Sequence, residues 1–131
     1  MTVSILVVDD EPDVADLFRQ RFRREARQGL YTLHFAGSAR DALVRLATGV
    51  QPELFLILSD INMPEMDGLQ LLREVKQLSP DLPVVMVTAY GDDERRRTAE
   101  KFGASDFLTK PIDFDELKRR IQILAPESPP P

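Results

Sequence analysis

The sequence contains no cysteine and no tryptophan, and its only histidine is His34. Without cysteine there is no disulfide scaffold, no thiolate zinc site and no thiol nucleophile. Long apolar runs are missing as well. Leu54 to Leu58 and Val84 to Val87 fall far short of the roughly 20 residues that a membrane span requires, and no basic, apolar leader opens the chain. The net charge of −5, from 17 Lys and Arg against 22 Asp and Glu, opposes general attraction to a phosphate backbone. A chain of 131 residues can bury roughly two-thirds of its unfolded surface without staples. The expectation is one cytoplasmic domain that neither binds nucleic acid nor spans a membrane.

What is there is an alternation of apolar runs and amphipathic segments. Val3 to Val8 is apolar but for Ser4 and stops at Asp9-Asp10-Glu11-Pro12-Asp13, which reads as a strand covered on both faces and then a helix start. Val14, Leu17, Phe18, Phe22 and Ala26 recur at helical spacing up to Gly29. Tyr31, Leu33 and Phe35 alternate with polar or small residues as a strand does, and Ser38 can cap a helix carrying Ala39, Ala42, Leu43, Leu46 and Ala47. Leu54 to Ser59 is a further strand, followed by an irregular stretch and a helix with Leu71, Leu72, Val75 and Leu78 on one side. Val84 to Thr88 and Asp106 to Thr109 complete five strands. Between them lies a polar helical segment, Asp92 to Phe102, and after them a helix capped by Asp113 with Phe114, Leu117, Ile121 and Leu124 inward. Five strands alternating with five helices predict an α/β fold, a doubly wound parallel sheet with helices on both faces.

In such a sheet a ligand sits outside the carboxyl ends of the strands. Those ends carry Asp9, Asp10, Asp60, Thr88 and Lys110. Taken singly, an Asp after a strand is a cap or turn former, Thr88 is a β-branched strand residue and Lys110 a solvated charge. Together they put three acids, a hydroxyl and a lysine on one edge. Two carboxylates about 4 Å apart repel by roughly 4 kcal/mol at an effective dielectric near 20, so three in one cleft call for a cation or for protonation. Oxygen ligands without His or Cys favour a hard ion such as Mg²⁺, or Mn²⁺. A metal held by two or three carboxylates keeps positions open for a phosphoryl group, with Asp60 as acceptor and Lys110 to neutralise its oxygens.

The segments Val7-Val8-Asp9-Asp10-Glu11-Pro12, Asp60-Ile61-Asn62-Met63-Pro64-Glu65-Met66-Asp67-Gly68, Val87-Thr88-Ala89 and Lys110-Pro111 resemble, in order and spacing, the motif set of the response regulator receiver domain of two-component signalling. The resemblance covers about residues 3 to 124. It implies a flavodoxin-like fold with strand order 2-1-3-4-5, a receiver domain over residues 1–125, and a proline-rich tail or truncated linker over 126–131. It further implies Asp60 as phosphoacceptor, Asp10 as direct metal ligand, Asp9 as its partner and the Asn62 backbone carbonyl as a further ligand. Thr88 and Lys110 would bind the phosphoryl group, small Ala89 would leave access to it, and Phe107 stands at the switch aromatic. A cis peptide is implied between Lys110 and Pro111. The implied donor is a histidine kinase or histidine phosphotransfer protein. A homodimer or output partner would be met by the face of the fourth helix, the fifth strand and the last helix, where Ile123 points outward.

Other residues carry plainer expectations. Glu11 and Asp13 complement the first helix dipole, and His34 on an edge strand has a surface or packing role. Arg95 to Arg97 reads as a solvated helix face, or more sharply as a partner surface. Asn62 can orient an attacking water and Tyr90 occlude it, which would tune the lifetime of an aspartyl phosphate. Three alternatives compete. An FMN carrier of the same fold needs Ser, Thr and Gly N–H donors after the first strand, where Asp9-Asp10-Glu11 instead repels phosphate. A phosphohydrolase needs a second acid or a cap domain. A receiver fragment of a larger regulator would leave its output domain elsewhere. The chemistry expected of this chain is its own phosphotransfer and autodephosphorylation, without a separate enzymatic activity.

Overall fold

The computed structural model describes residues 2–89 and 91–124. In chain order these form β1 (Val3–Val8), α1 (Pro12–Arg21), α2 (Arg23–Arg27), β2 (Tyr31–Ala36), α3 (Ala39–Thr48), β3 (Leu56–Asp60), α4 (Gly68–Leu78), β4 (Val84–Thr88), α5 (Asp93–Lys101), β5 (Asp106–Thr109) and α6 (Phe114–Leu124). All neighbouring strands run parallel in the order β2-β1-β3-β4-β5. The chain leaves β1 toward one edge of the sheet and returns to β3 on the other side of it. Connections after β1 and β3 therefore diverge, which opens a crevice at their carboxyl ends. The flavodoxin-like expectation holds, and Tyr90 and the tail lie outside the described residues.

Alternating side chains along each strand feed two cores. On one face Ile5, Val7, Leu56, Leu58, Val85 and Val87 meet Phe18 and Phe22 from α1 and its end, with Phe114, Leu117 and Ile121 from α6. On the other, Leu6, Val8, Ile57 and Met86 meet Ala42 of α3, Leu71, Leu72 and Val75 of α4, and Ala99 of α5. Every residue of β1 is buried, as a strand covered on both faces requires. Each large side chain so buried contributes about 1.5–3 kcal/mol of transfer free energy. The helix caps follow the sequence: Ser38 Oγ accepts from Asp41 N at 3.0 Å, and Asp113 Oδ1 accepts from Asp115 N and Glu116 N at 3.0 and 3.2 Å.

Three local expectations are corrected. The first helix is two, broken at Phe22, whose backbone lies at φ −103° and ψ 10°. The Phe22 ring is wedged edge-on against Tyr31 and Phe114, with centroids 5.2 and 6.3 Å away. The Arg21 carbonyl, at the end of α1, accepts from Lys118 Nζ of α6 at 3.0 Å, and the same ammonium pairs with buried Glu25 of α2 and lies 4.9 Å from the Phe22 ring centroid. A cation from another helix thus takes up a carbonyl at the break. Second, β3 begins at Leu56, and Leu54 and Phe55 are only partly buried. Third, Leu78, the last residue of α4, is 61% exposed and does not join its inward stripe.

Candidate functional site

The site is assembled at the carboxyl ends of β1, β3, β4 and β5. Asp9 N donates to Ala36 O at 3.1 Å, which extends the β1 ladder one residue and fixes Asp9 at the strand end. Its carboxylate accepts from Glu11 N at 2.9 Å. Asp10 is exposed, and Pro12 then starts α1 at a position whose N–H needs no partner. Asp60 is the last residue of β3, in register with Val87 and 4% exposed. One of its carboxylate oxygens accepts from Lys110 Nζ at 2.8 Å and the other from Asn62 N at 3.2 Å. Lys110 is placed by its own N–H, which donates to Thr88 O at 2.9 Å just past β5. The Lys110–Pro111 peptide is cis, as implied.

Asp9, Asp10 and Asp60 each offer a carboxylate oxygen, all within 4.8 Å of one another. Burial pushes the Asp9 carboxyl above its ordinary value, and the charges of Asp60 and Glu11 add to this against the Glu11 N–H and Lys110. Burial would lower Lys110, but its hydrogen bond to Asp60 and the charges of Asp60, Asp9 and Glu11 outweigh that and raise it, so the amine stays protonated. Three carboxylates thus stand against the one ammonium of Lys110. Around a hard octahedral ion, oxygens lie about 3 Å apart when adjacent and about 4 Å when opposite, so these three carboxylates, with oxygen donors only, fit one with small side-chain adjustments.

Of the other predicted residues, Thr88, Ala89 and Pro111 lie at or just past strand ends on the same edge of the sheet, and Phe107 lies within β5. Thr88 is 3% exposed at the end of β4, its hydroxyl turned to β5, where it donates to Leu108 O over a long 3.4 Å. Ala89 and Pro111 are exposed. Phe107 is half-buried on β5 and carries the Arg96 guanidinium 4.8 Å from its ring centroid. His34 stands apart, its Nε2 3.1 Å from Ser4 Oγ on β1.

Several residues escaped the sequence reading. Gly68 opens α4 directly beneath Asp60: a Cβ there would lie 2.2 Å from the Asp60 carbonyl oxygen and 2.7 Å from Ile61 Cα. The glycine of the Asp67-Gly68 pair was the available signal. Glu65, in the same loop, adopts φ 64° without being glycine. Arg95 is not part of a solvated face, because its guanidinium bonds the Asn62 and Asp67 side chains. Arg97 is exposed, as the run suggested.

Comparison with known proteins agrees with this geometry. The family profile described as response regulator receiver domain matches residues 5–122. A Leptolyngbya boryana protein, named as an uncharacterized 14.6 kDa protein in the sodA1 3' region, is 40% identical over 98% of this chain and 94% of its own. The Escherichia coli transcriptional regulatory protein ZraR is 38% identical over 92% of this chain, and the regulatory protein AtoC 40% over 90%; the chain spans only 26% and 24% of those two. Among solved structures, the receiver domain of NtrX from Brucella abortus superposes with a TM-score of 0.80 at 34% identity, covering 95% of this chain and 99% of that one. A putative response regulator from Chloroflexus aurantiacus gives 0.84 at 28% identity, over 97% of this chain and 100% of that one. With its motifs gathered at one sheet edge and a family match over nearly its whole length, the chain belongs to the response regulator receiver domains.

Proposed function

We propose that this receiver domain is a phosphorylation-dependent switch that takes a phosphoryl group onto Asp60 from the phosphohistidine of a histidine kinase or histidine phosphotransfer protein. The observation that carries the reading is the buried Asp60 carboxylate, held by Lys110 Nζ at 2.8 Å and within 4.8 Å of two further carboxylates. In the transfer an Asp60 oxygen bonds to phosphorus as the phosphorus–nitrogen bond of the donor breaks, and its electron pair returns to the imidazole, which takes up a proton. Lys110 neutralises oxygens on which charge spreads, and the Asn62 N–H and Lys110 orient the acceptor. Asp9, Asp10, Asp60 and the Asn62 carbonyl would hold Mg²⁺ or Mn²⁺, which when bound supplies the remaining positive charge at the phosphoryl group. Thr88 would leave Leu108 O for a phosphoryl oxygen, and Phe107 would turn inward behind it. The altered surface is the face of α5, β5 and α6, where a second copy or an output partner would be met.

Intact mass after treatment with acetyl phosphate and Mg²⁺ tests the acceptor. One added phosphate is expected on the wild type and none on Asp60→Asn; equal labelling of both would remove Asp60 from the role. A second reading is favoured by the lengths of ZraR and AtoC, each about four times the matched segment. In it the same switch serves as the receiver part of a longer regulator, and its output face contacts a domain on the same polypeptide.

A further inference from the structure

Arg95 is the third residue of α5, and its side chain is 35% exposed. One guanidinium nitrogen donates to Asn62 Oδ1 and another to Asp67 Oδ2 at 3.2 Å. Asp67 is itself fixed. Its other oxygen caps α4 by accepting from Gln70 N at 3.0 Å, while Gln70 Oε1 accepts from Asp67 N at 3.3 Å. Arg95 is therefore anchored on a capping box and reaches from there to the residue whose backbone N–H holds the Asp60 carboxylate.

The chemistry of the pair sets the orientation of the amide. A guanidinium only donates, so Asn62 must present its carbonyl oxygen to Arg95 and keep its NH₂ group for whatever else approaches. An NH₂ group can bond a water only by occupying one of the two lone pairs on the water oxygen. A carbonyl oxygen would instead take a water proton and leave both lone pairs, and so the one that meets phosphorus, unoccupied. Hydrolysis needs that lone pair in line with the leaving Asp60 carboxylate. We propose that Arg95 is a positioning residue for hydrolysis of the Asp60 phosphoryl group: by occupying the Asn62 carbonyl oxygen it withholds the acceptor that would align the attacking water, and so lengthens the phosphorylated state. The step opposed is the bonding of a water oxygen to phosphorus as the bond to Asp60 breaks, with the carboxylate restored and the water protons passing to inorganic phosphate and solvent. This inference rests on the reading of Asp60 as acceptor.

The test labels the wild type, Arg95→Ala, Arg95→Lys, Asn62→Ala and the Arg95→Ala/Asn62→Ala double variant with acetyl phosphate and Mg²⁺, removes the donor, and follows loss of phosphate by intact mass. Arg95→Ala is expected to shorten the half-life by roughly fivefold, and Arg95→Lys, which keeps one donor, to recover part of it. In the Asn62→Ala background the Arg95 change should make no difference. An unchanged or longer half-life in Arg95→Ala, or equal shortening in the Asn62→Ala background, overturns the proposal, the second because it marks a structural effect that bypasses Asn62. The Asn62 side-chain NH₂ resonances, identified by their loss in Asn62→Ala, separate the two levels of inference. They should shift in unphosphorylated Arg95→Ala, and if they stay in place the contact itself is refuted even where Asp60 labels normally. A wild type that takes no phosphate removes the acceptor and the lifetime role together.

Discussion

Gly68 lies so close under Asp60 that a single added carbon would stand 2.2 Å from the Asp60 carbonyl oxygen. The approach is sealed by Gly68 N, which donates to Ile61 O at 2.8 Å. The start of α4 and the end of β3 are thus one unit, and the atoms that would give way are backbone. Gly68→Ala is expected to cost about 2 kcal/mol by overpacking, read by urea unfolding. Phosphate uptake from acetyl phosphate should slow by roughly tenfold, as for a displaced reacting group. Wild-type values in both measurements would show that the loop absorbs the methyl group freely.

Asp10 and Glu11 are adjacent in sequence and unequal in place. Asp10 shares the carboxylate cluster with Asp9 and Asp60, whereas Glu11 offers the cluster a backbone N–H. Calorimetric titration with Mg²⁺ should show Asp10→Ala weakened by at least roughly tenfold and Glu11→Ala by less than about twofold. Equal losses would mean that the local charge, and not coordination by Asp10, governs affinity.

Lys118 and Glu25 form a pair that is nearly sealed from solvent, with side chains 15% and 8% exposed. Burial raises the Glu25 carboxyl, but the Lys118 hydrogen bond, the backbone and the charges of Lys118 and Arg24 outweigh it and leave it below its ordinary 4.5. A carboxyl lowered by folding stabilises the fold in full above its unfolded value, and that contribution fades as pH falls through the folded value. The stability difference between wild type and Glu25→Gln should therefore be largest above about pH 4.5 and shrink below it. Lys118→Met alone is expected to cost about 3 kcal/mol, because Glu25 is left buried and charged. Adding Glu25→Leu should restore most of that, short of about 1 kcal/mol for the lost Arg21 carbonyl bond. Thermal melts across pH check all three.

Arg96 lies over the half-buried Phe107 ring, its guanidinium 4.8 Å from the centroid. An exposed cation–π contact is worth about 0.5–1 kcal/mol, so Arg96→Ala should shift a two-state position of Phe107 by roughly two- to fivefold. Amide exchange in α5 and β5 of the unphosphorylated protein should quicken accordingly. Exchange identical to wild type would show that the arginine rests on the ring without holding it.

How much of this was legible in the sequence depends on the range of the interaction involved. Val3 to Val8 and Val84 to Thr88 read correctly as strands because their β-branched apolar runs are bounded by residues such as Asp9 and Pro83, and Ser38 and Asp113 read as caps because capping acts within three residues. The acids at the site were legible because a parallel sheet brings its strand ends to one edge whatever the details between them. The break at Phe22 was not, since helical periodicity runs through it unbroken and the cation beside it lies 97 residues from the carbonyl it bonds. Arg95 looked like one of three equal charges. Its partners, 33 and 28 residues away, are ones that local spacing does not reveal.

The two layers flanking the sheet are unequally committed. On the α1 and α6 side aromatic rings interlock and a buried ion pair ties helix to helix, whereas α5, on the opposite side, gives the core a single fully buried residue, Ala99. A helix that lends so little to folding can have its outer positions rewritten with small effect on the rest of the chain. The outward side chains of α5 are thus free to diverge among descendants of such a domain, while the acidic cluster around Asp60 and the scaffold that supports it stay as they are.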